Sequence, residues 1–315
     1  MDVKLEPIAY RGGNEAEETR LSRRSFFMAA GAAGIGAAAA ITTRPAAAQS
    51  TDWTQAGNNN HVLVLQGTTS FADGPVTFDY YGHCALKITS PGGASVLFDP
   101  WRDDPSGAWG LWFKNKFPET VVDITMSTHT HFDHDAIDRP SSTMVLDRMA
   151  GHFEFADACL APGWYKWTNA LKEFGAEACP PNNVGHMDMV TYVIETGGVR
   201  TLIWGDNRPD PADPFWDAVG RIDVLTLPVD GSQHILSYAQ ADAIVDRLKP
   251  KVIIPTHYLN ETTTYTLSTL QPADEWVTGK GRFKMLNSPG ISLGAKDIAD
   301  LDREVFYFGN HAATA

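Results

Sequence analysis

The chain has 315 residues, 43% of them hydrophobic and 20% charged, which is enough apolar content for a large core and excludes a disordered polymer. Lys and Arg number 25 against 38 Asp and Glu, and the resulting net charge of −13 excludes nonspecific binding to the backbone of nucleic acid. Three cysteines, Cys84, Cys159 and Cys179, are too few and too scattered for a disulfide scaffold or a CxxC metal knuckle.

The first fifty residues read as a targeting segment. Ser22-Arg23-Arg24-Ser25-Phe26-Phe27 leads into an Ala/Gly-rich run from Met28 to Ile41, and Arg44-Pro45 precedes Ala46-Ala47-Ala48. An arginine pair, an apolar run and a small-residue end, in that order, resemble a twin-arginine signal peptide, with Met28 where such signals often carry Lys. The run is too short and too weakly apolar for a membrane span, which needs about 20 strongly apolar residues. The resemblance implies cleavage after Ala48, so that residues 1–48 are the signal and 49–315 the mature domain, without a stable membrane span. It also implies the twin-arginine translocation machinery as a partner during export, and a periplasmic or secreted protein. In such an oxidising compartment Cys159 and Cys179 are a candidate disulfide pair.

Beyond the signal, strands come first. Residues 61–66, 76–89 and 95–99 are rich in β-branched and aromatic side chains, and Pro91-Gly92-Gly93 predicts a hairpin between the last two. A buried strand over Val121 to Met126 runs into the polar loop Ser127 to Asp135, which then turns into a helix. Thr143 to Leu146 is a short strand, and Gly163 to Phe174 has helical length, from Pro162 to the stop at Gly175. Val190 to Glu195 and Val199 to Trp204 flank Thr196-Gly197-Gly198 as a second hairpin. Ile222 to Leu227 is a strand, Ser237 and Gln240 have the spacing of a capping box opening a helix to Leu248, and Lys251 to Pro255 is a strand. Two β-rich halves, each followed by helical segments, predict two sheets packed face to face with helices outside.

The chemistry sits at strand ends. His129-Thr130-His131-Phe132-Asp133-His134 concentrates three imidazoles and a carboxylate directly after a buried strand. Neutral imidazole and carboxylate suit Zn²⁺ and related divalent ions, and in an extended loop the i, i+2 spacing turns His129 and His131 to one side. Asp133 and His134 follow and can face a second ion.

This motif resembles the signature of the metallo-β-lactamase superfamily. The resemblance implies an α+β fold, a four-layer αββα sandwich, with one or two metal ions at one edge of the sheets. The family pattern continues with a third His, a bridging Asp and a last His. His186, 55 residues after His131, matches the third His, and His152 is its competitor. Asp206, in Gly205-Asp206 after a strand, matches the bridging carboxylate, and His257, in Pro255-Thr256-His257, matches the last His. The implied cofactors are two divalent metal ions, Zn²⁺ or alternatively Mn²⁺ or Fe. His129, His131 and His186 would hold one ion, Asp133, His134 and His257 the other, with Asp206 bridging. The catalytic residues implied are Asp133 and Asp206.

Tyr81-Gly82-His83-Cys84-Ala85 and the Asp99-Pro100 loop resemble the branch that holds L-ascorbate-6-phosphate lactonase and N-acyl-phosphatidylethanolamine phospholipase D, as does the stretch His234 to Tyr258. Asn207 departs from the usual Thr or Ser after the bridging Asp. The branch places His83 and His234 near the metal edge, as substrate-binding residues or as structural ones. Trp101, Trp109, Trp112 and Phe113 are either an apolar wall for substrate or core aromatics. The implied function is metal-assisted hydrolysis of an ester, lactone, amide or phosphodiester bond in a small-molecule substrate. The alternatives are a metal-binding module of the same fold without turnover, or a metal-dependent oxidoreductase of that fold. The sequence leaves the oligomeric state open.

Overall fold

The computed structural model describes residues 53–54, 62–65, 73–103, 112–149, 152–155, 158–161, 190–207, 209, 211, 213–233, 235–265 and 268–314. The export segment, the helix expected over 163–174, Trp109, Cys179, His186 and His234 lie outside the described residues.

Two mixed sheets carry the fold. The smaller contains β3 (Val76–Tyr80), β4 (Leu86–Thr89), β5 (Ser95–Phe98), β6 (Val121–Ser127), β7 (Ser141–Asp147) and β15 (Gly290–Leu293), in the order β15-β3-β4-β5-β6-β7. The larger begins with β1 (Trp53–Thr54), β2 (Val62–Leu65), β8 (His152–Phe155) and β9 (Ala158–Ala161). It continues through β10 (Tyr192–Thr196), β11 (Val199–Ile203), β12 (Val224–Pro228) and β13 (Val252–Thr256). It ends with β16 (Glu304–Tyr307) and then β14 (Phe283–Met285).

Apolar side chains from both sheets, among them Phe78, Ile88 and Phe98 of the smaller and Tyr192, Leu202 and Leu225 of the larger, form one core between them. Every residue of β12 and β13 is buried, as expected of parallel strands covered on both faces. The helices described, α1 (Asp213–Val219), α2 (Tyr238–Leu248) and α3 (Asp274–Gly279), all lie in connections between strands of the larger sheet. Among the described residues no helix is long and apolar enough to cross a membrane.

Local chemistry explains most boundaries. Gly197 and Gly198, at φ 56° and 70°, form the two-residue turn between β10 and β11, a geometry open to glycine in both positions. Ser237 caps α2, and the reciprocal bonds between Ser237 and Gln240 complete the capping box.

Two expectations need correction. The stretch 76–89 is two strands, because Tyr81–Ala85 forms a tight turn in which Gly82 and His83 take φ 91° and 56°. After His134 the chain makes turns and not a helix: the amides of His134 and Asp135 return to the His131 carbonyl, and that of Ala136 bonds Pro100 across the loop. Pro140 then introduces β7.

The topology sets the site. Strands β5 and β6 run parallel in one sheet, and β11, β12 and β13 run parallel in the other. Their carboxyl ends deliver Asp99, His129 to His134, Asp206, Asp230 and His257, the edge at which open α/β sheets place ligands.

Candidate metal centre

The structure gathers six of the seven expected ligands, His129, His131, Asp133, His134, Asp206 and His257, at that edge. Their ligand atoms fall into two groups, each drawn together within 4.8 Å. One is His129, His131 and Asp206; the other is Asp133, His134 and His257 joined by His83. All are buried except His131, which is partly exposed. Asp206 faces both groups: its Oδ2 lies 3.8 Å from His129 Nε2 and its Oδ1 3.2 Å from His257 Nε2. Asp133 Oδ2 stands 2.9 Å from His83 Nε2 and 3.6 Å from the Nε2 atoms of both His134 and His257.

Backbone geometry fixes this array. Gly205 sits at φ 63°, and a Cβ there would stand 2.3 Å from Thr128 Oγ1, so only glycine lets the Asp206 turn press against the histidine loop. Ser127 donates its hydroxyl to the His129 carbonyl at 2.6 Å, and Val190 donates its amide to the Thr128 carbonyl at 2.8 Å. His257 takes φ 60° and donates its amide to the His83 carbonyl at 3.0 Å. Non-glycine residues in this left-handed region are uncommon, and His83, Asp99 and His257 all adopt it around one site.

The electrostatics follow from crowding oppositely charged groups out of water. Burial lowers His83 to about 4 and His129 to about 3, and it lowers His131 as well. Burial pulls His134 down too, but Asp133 and then Asp99 outweigh it and push the imidazole up to about 9. His257 also resists burial, and Asp206 with Asp133 holds it well above the usual range. Burial would raise Asp133, yet His134, His257 and His83 keep it well below the carboxylate range; Asp206 is lowered by His257, His134 and His129.

A family model described as a beta-lactamase superfamily domain matches residues 77–257, from β3 to the last histidine of the centre. The chain belongs to that family. This superfamily chain is 26% identical over 216 residues to a UPF0173 metal-dependent hydrolase of Myxococcus xanthus, covering 62% of the chain and 75% of the relative. It is 28% identical over 233 residues to a UPF0173 metal-dependent hydrolase of Pyrobaculum islandicum, covering 68% and 97%. A solved Thermotoga maritima structure, described as a Zn-dependent hydrolase of the metallo-beta-lactamase superfamily, aligns with a TM-score of 0.53 at 20% identity, covering 74% and 97%. The fold is the metallo-β-lactamase fold.

The residues present fit the metal ions this superfamily implies. Among the described residues, His134 Nε2 and Asp206 Oδ1 are buried without a well-formed hydrogen bond, although His257 Nε2 lies 3.2 Å from the latter, a costly arrangement that a cation relieves. The donor set of imidazoles and carboxylates is that of zinc and its borderline neighbours. Burial, reinforced by Asp99 and Asp206, pushes the nearby Cys84 thiol well up, and Cys84 stands with Asp99 and His134 in a third cluster of possible donor atoms.

Two residues stand behind the centre: Asp99, which sequence reasoning noted only as part of the Asp-Pro loop, and Asp230, which it passed over. Asp99, fully buried, accepts from the Thr128 amide at 2.6 Å, the Thr128 hydroxyl at 2.6 Å and His134 Nδ1 at 3.0 Å. It thereby holds a proton on Nδ1, so that Nε2 is the nitrogen left for a cation once the ring has given up its second proton. Asp230 ties the turn after β12 by accepting from the amides of Ser232 and Gln233, and its Oδ2 lies 3.8 Å from His257 Nδ1. Both end an apolar strand, in Phe98-Asp99-Pro100 and Val229-Asp230-Gly231, which is the signal that could have revealed them.

Trp101 and Phe113 are core aromatics, stacked 4.2 Å apart at 10° and packed with Tyr81, Phe117 and Trp112. Asn207 is structural, its amide donating to the Trp204 carbonyl at 2.6 Å.

Proposed function

We propose that the chain is an exported metal-dependent hydrolase that holds two divalent ions and cleaves an ester, lactone, amide or phosphodiester bond in a small molecule. The observation that carries the two-ion reading is Asp206, whose two carboxylate oxygens face different clusters of imidazoles. His129, His131 and Asp206, with His186 as the third imidazole, would hold one ion; Asp133, His134 and His257, sharing Asp206, would hold the other. Zn²⁺ is the ion this donor set suits best, with Mn²⁺ or Fe as alternatives.

Ions bound there supply Lewis acidity and lower the pKa of bound water from 15.7 toward about 7, providing a nucleophile at neutral pH. The protein's part is to keep the donors fixed and dry. Asp99 and Asp230 orient His134 and His257 from behind, and the αL turns at His83 and His257 hold those residues against the edge. The Gly-His turn and the Asp-Pro loop favour substrates of the branch resembling L-ascorbate-6-phosphate lactonase and N-acyl-phosphatidylethanolamine phospholipase D. The Arg23-Arg24 pair supports twin-arginine export, removal of residues 1–48 and a periplasmic or secreted location.

Elemental analysis of the purified mature protein, followed by lactone, ester, amide and phosphodiester panels with and without chelator, tests this reading. Close to two ions per chain and chelator-sensitive hydrolysis are expected. Saturation at one ion rejects the two-ion centre, and full metal occupancy with no hydrolysis on any panel rejects the enzyme.

A further inference from the structure

His83 does more than line the edge. Its side chain is fully buried, and its Nε2 donates to Asp133 Oδ2 at 2.9 Å. That oxygen also lies 3.6 Å from the Nε2 atoms of His134 and His257, and a carboxylate oxygen has two lone pairs, so one can take the imidazole proton while the other remains for a cation. The same residue's carbonyl accepts from the His257 amide at 3.0 Å and from the Tyr80 hydroxyl at 3.1 Å. Asp133 follows β6 in the smaller sheet and His257 follows β13 in the larger, so one residue joins ligand segments of both sheets.

The turn that carries it is built for this. His83 sits at φ 56° after Gly82 at φ 91°, and a Cβ on Gly82 would stand 2.4 Å from Thr263 Oγ1, in the segment just past His257. The imidazole is walled by the His257 ring at 4.2 Å and by the edges of Phe113 at 5.7 Å and Trp112 at 6.4 Å. A ring enclosed on these sides has no exposed surface to present to a substrate.

We propose that His83 is a positioning residue that braces the Asp133, His134 and His257 half of the centre through both its side chain and its carbonyl, and that it does not contact substrate. This rests on the metal-binding reading above. The test compares wild type, His83→Ala and His83→Gln in Zn²⁺ titrations against a competing chelator, with near-ultraviolet circular dichroism to verify folding. Gln can present an amide donor at nearly the reach of Nε2, yet it is a poor zinc ligand.

His83→Ala is expected to weaken one of the two ions by about 10- to 100-fold and leave the other within about twofold. His83→Gln is expected to restore most of the loss. Wild-type affinity for both ions in folded His83→Ala overturns the proposal. So does a rise in KM alone, with metal binding intact, which marks a substrate contact. Loss of an ion in His83→Gln as complete as in His83→Ala overturns it in favour of His83 as a ligand. If the alanine variant does not fold, the glutamine titration decides alone: affinity close to wild type supports the brace, and outright loss refutes it. A wild-type protein that binds no ion refutes the underlying metal reading instead.

Discussion

Asp99→Asn changes one charge and almost no volume behind the centre. The native carboxylate accepts three hydrogen bonds, at 2.6, 2.6 and 3.0 Å, from the Thr128 amide, the Thr128 hydroxyl and His134 Nδ1. Asn tolerates the φ of 49° and can still accept from the Thr128 amide through its carbonyl oxygen. Its NH₂ group then faces His134 Nδ1, which in the neutral ring that binds a cation must become the acceptor, so that the ring proton sits on Nε2, the atom that points at Asp133. Hydrogen bonds to a charged group contribute about 1.5–3 kcal/mol and neutral ones about 0.5–1.5, so the two bonds at Oδ2 lose about 2–3 kcal/mol together. Metal affinity at His134 should fall by about 10- to 100-fold, while the ion on His129 and His131 is spared. Chelator competition reads the affinity and thermal unfolding of the metal-free protein reads the stability. Unchanged affinity in a folded Asp99→Asn variant refutes the claim that Asp99 sets the His134 tautomer. Asp99→Ala should be worse, by about 3–5 kcal/mol, because it strands the buried Thr128 and His134 donors and places Ala in the left-handed region.

Three further outcomes follow from the same geometry and a fourth from the sequence. Asp206→Ala removes the carboxylate that faces both clusters and should cost both metal retention and more than about 100-fold in activity; two retained ions with near-normal hydrolysis would make Asp206 a mere turn residue. Gly205→Ala puts a Cβ 2.3 Å from Thr128 Oγ1 at φ 63° and should destabilise by about 1–3 kcal/mol, so an unchanged melting temperature would contradict the close approach. In metal-free protein, His134 is raised to about 9 and His257 is raised well above its normal value, so their stabilisation is complete below about 6.5 and lost as pH climbs through the folded values. His83, lowered to about 4, and His129, lowered to about 3, act oppositely and lose theirs as pH falls below about 6.5. The melting temperature of chelator-treated protein should therefore peak near neutrality, and a steady rise to pH 9 would contradict these shifts. Replacing Arg23 and Arg24 with Lys should strand the precursor in the cytoplasm, visible by fractionation, and undiminished export would remove the twin-arginine reading.

The sequence exposed what local rules govern. The alternating and β-branched runs that became β2, β5, β6, β10, β11, β12 and β13, the Gly197-Gly198 turn and the Ser237 capping box all express short-range preferences. The dense histidine motif exposed the centre for the same reason, because its members are neighbours in the chain. The break at Gly82-His83 was hidden inside a run of strand-forming residues, and only contact with Thr263 and His257, far along the chain, makes that turn necessary. The helix expected after His134 failed because cross-loop bonds to Pro100 and His131 captured its amides. Strands β14 to β16 were not anticipated: they span only three or four residues each, too short for a periodic signal to stand out. Asp99 and Asp230 act through partners that sequence alone does not place beside them.

The pairing of β15 with β3 bears on when this molecule can mature. The partner that completes β3 lies roughly two hundred residues downstream, and closing so long a loop must precede the contacts that reward it. Tyr80, which ends β3, also receives the Ala313 amide at its carbonyl and donates its own amide to Pro289. The turn that carries His83 is thus framed by residues more than two hundred positions downstream of it. A nascent polypeptide halted before Pro289 would hold the histidine motif without the frame that aligns it, so ordered metal capture should wait until that downstream segment has docked.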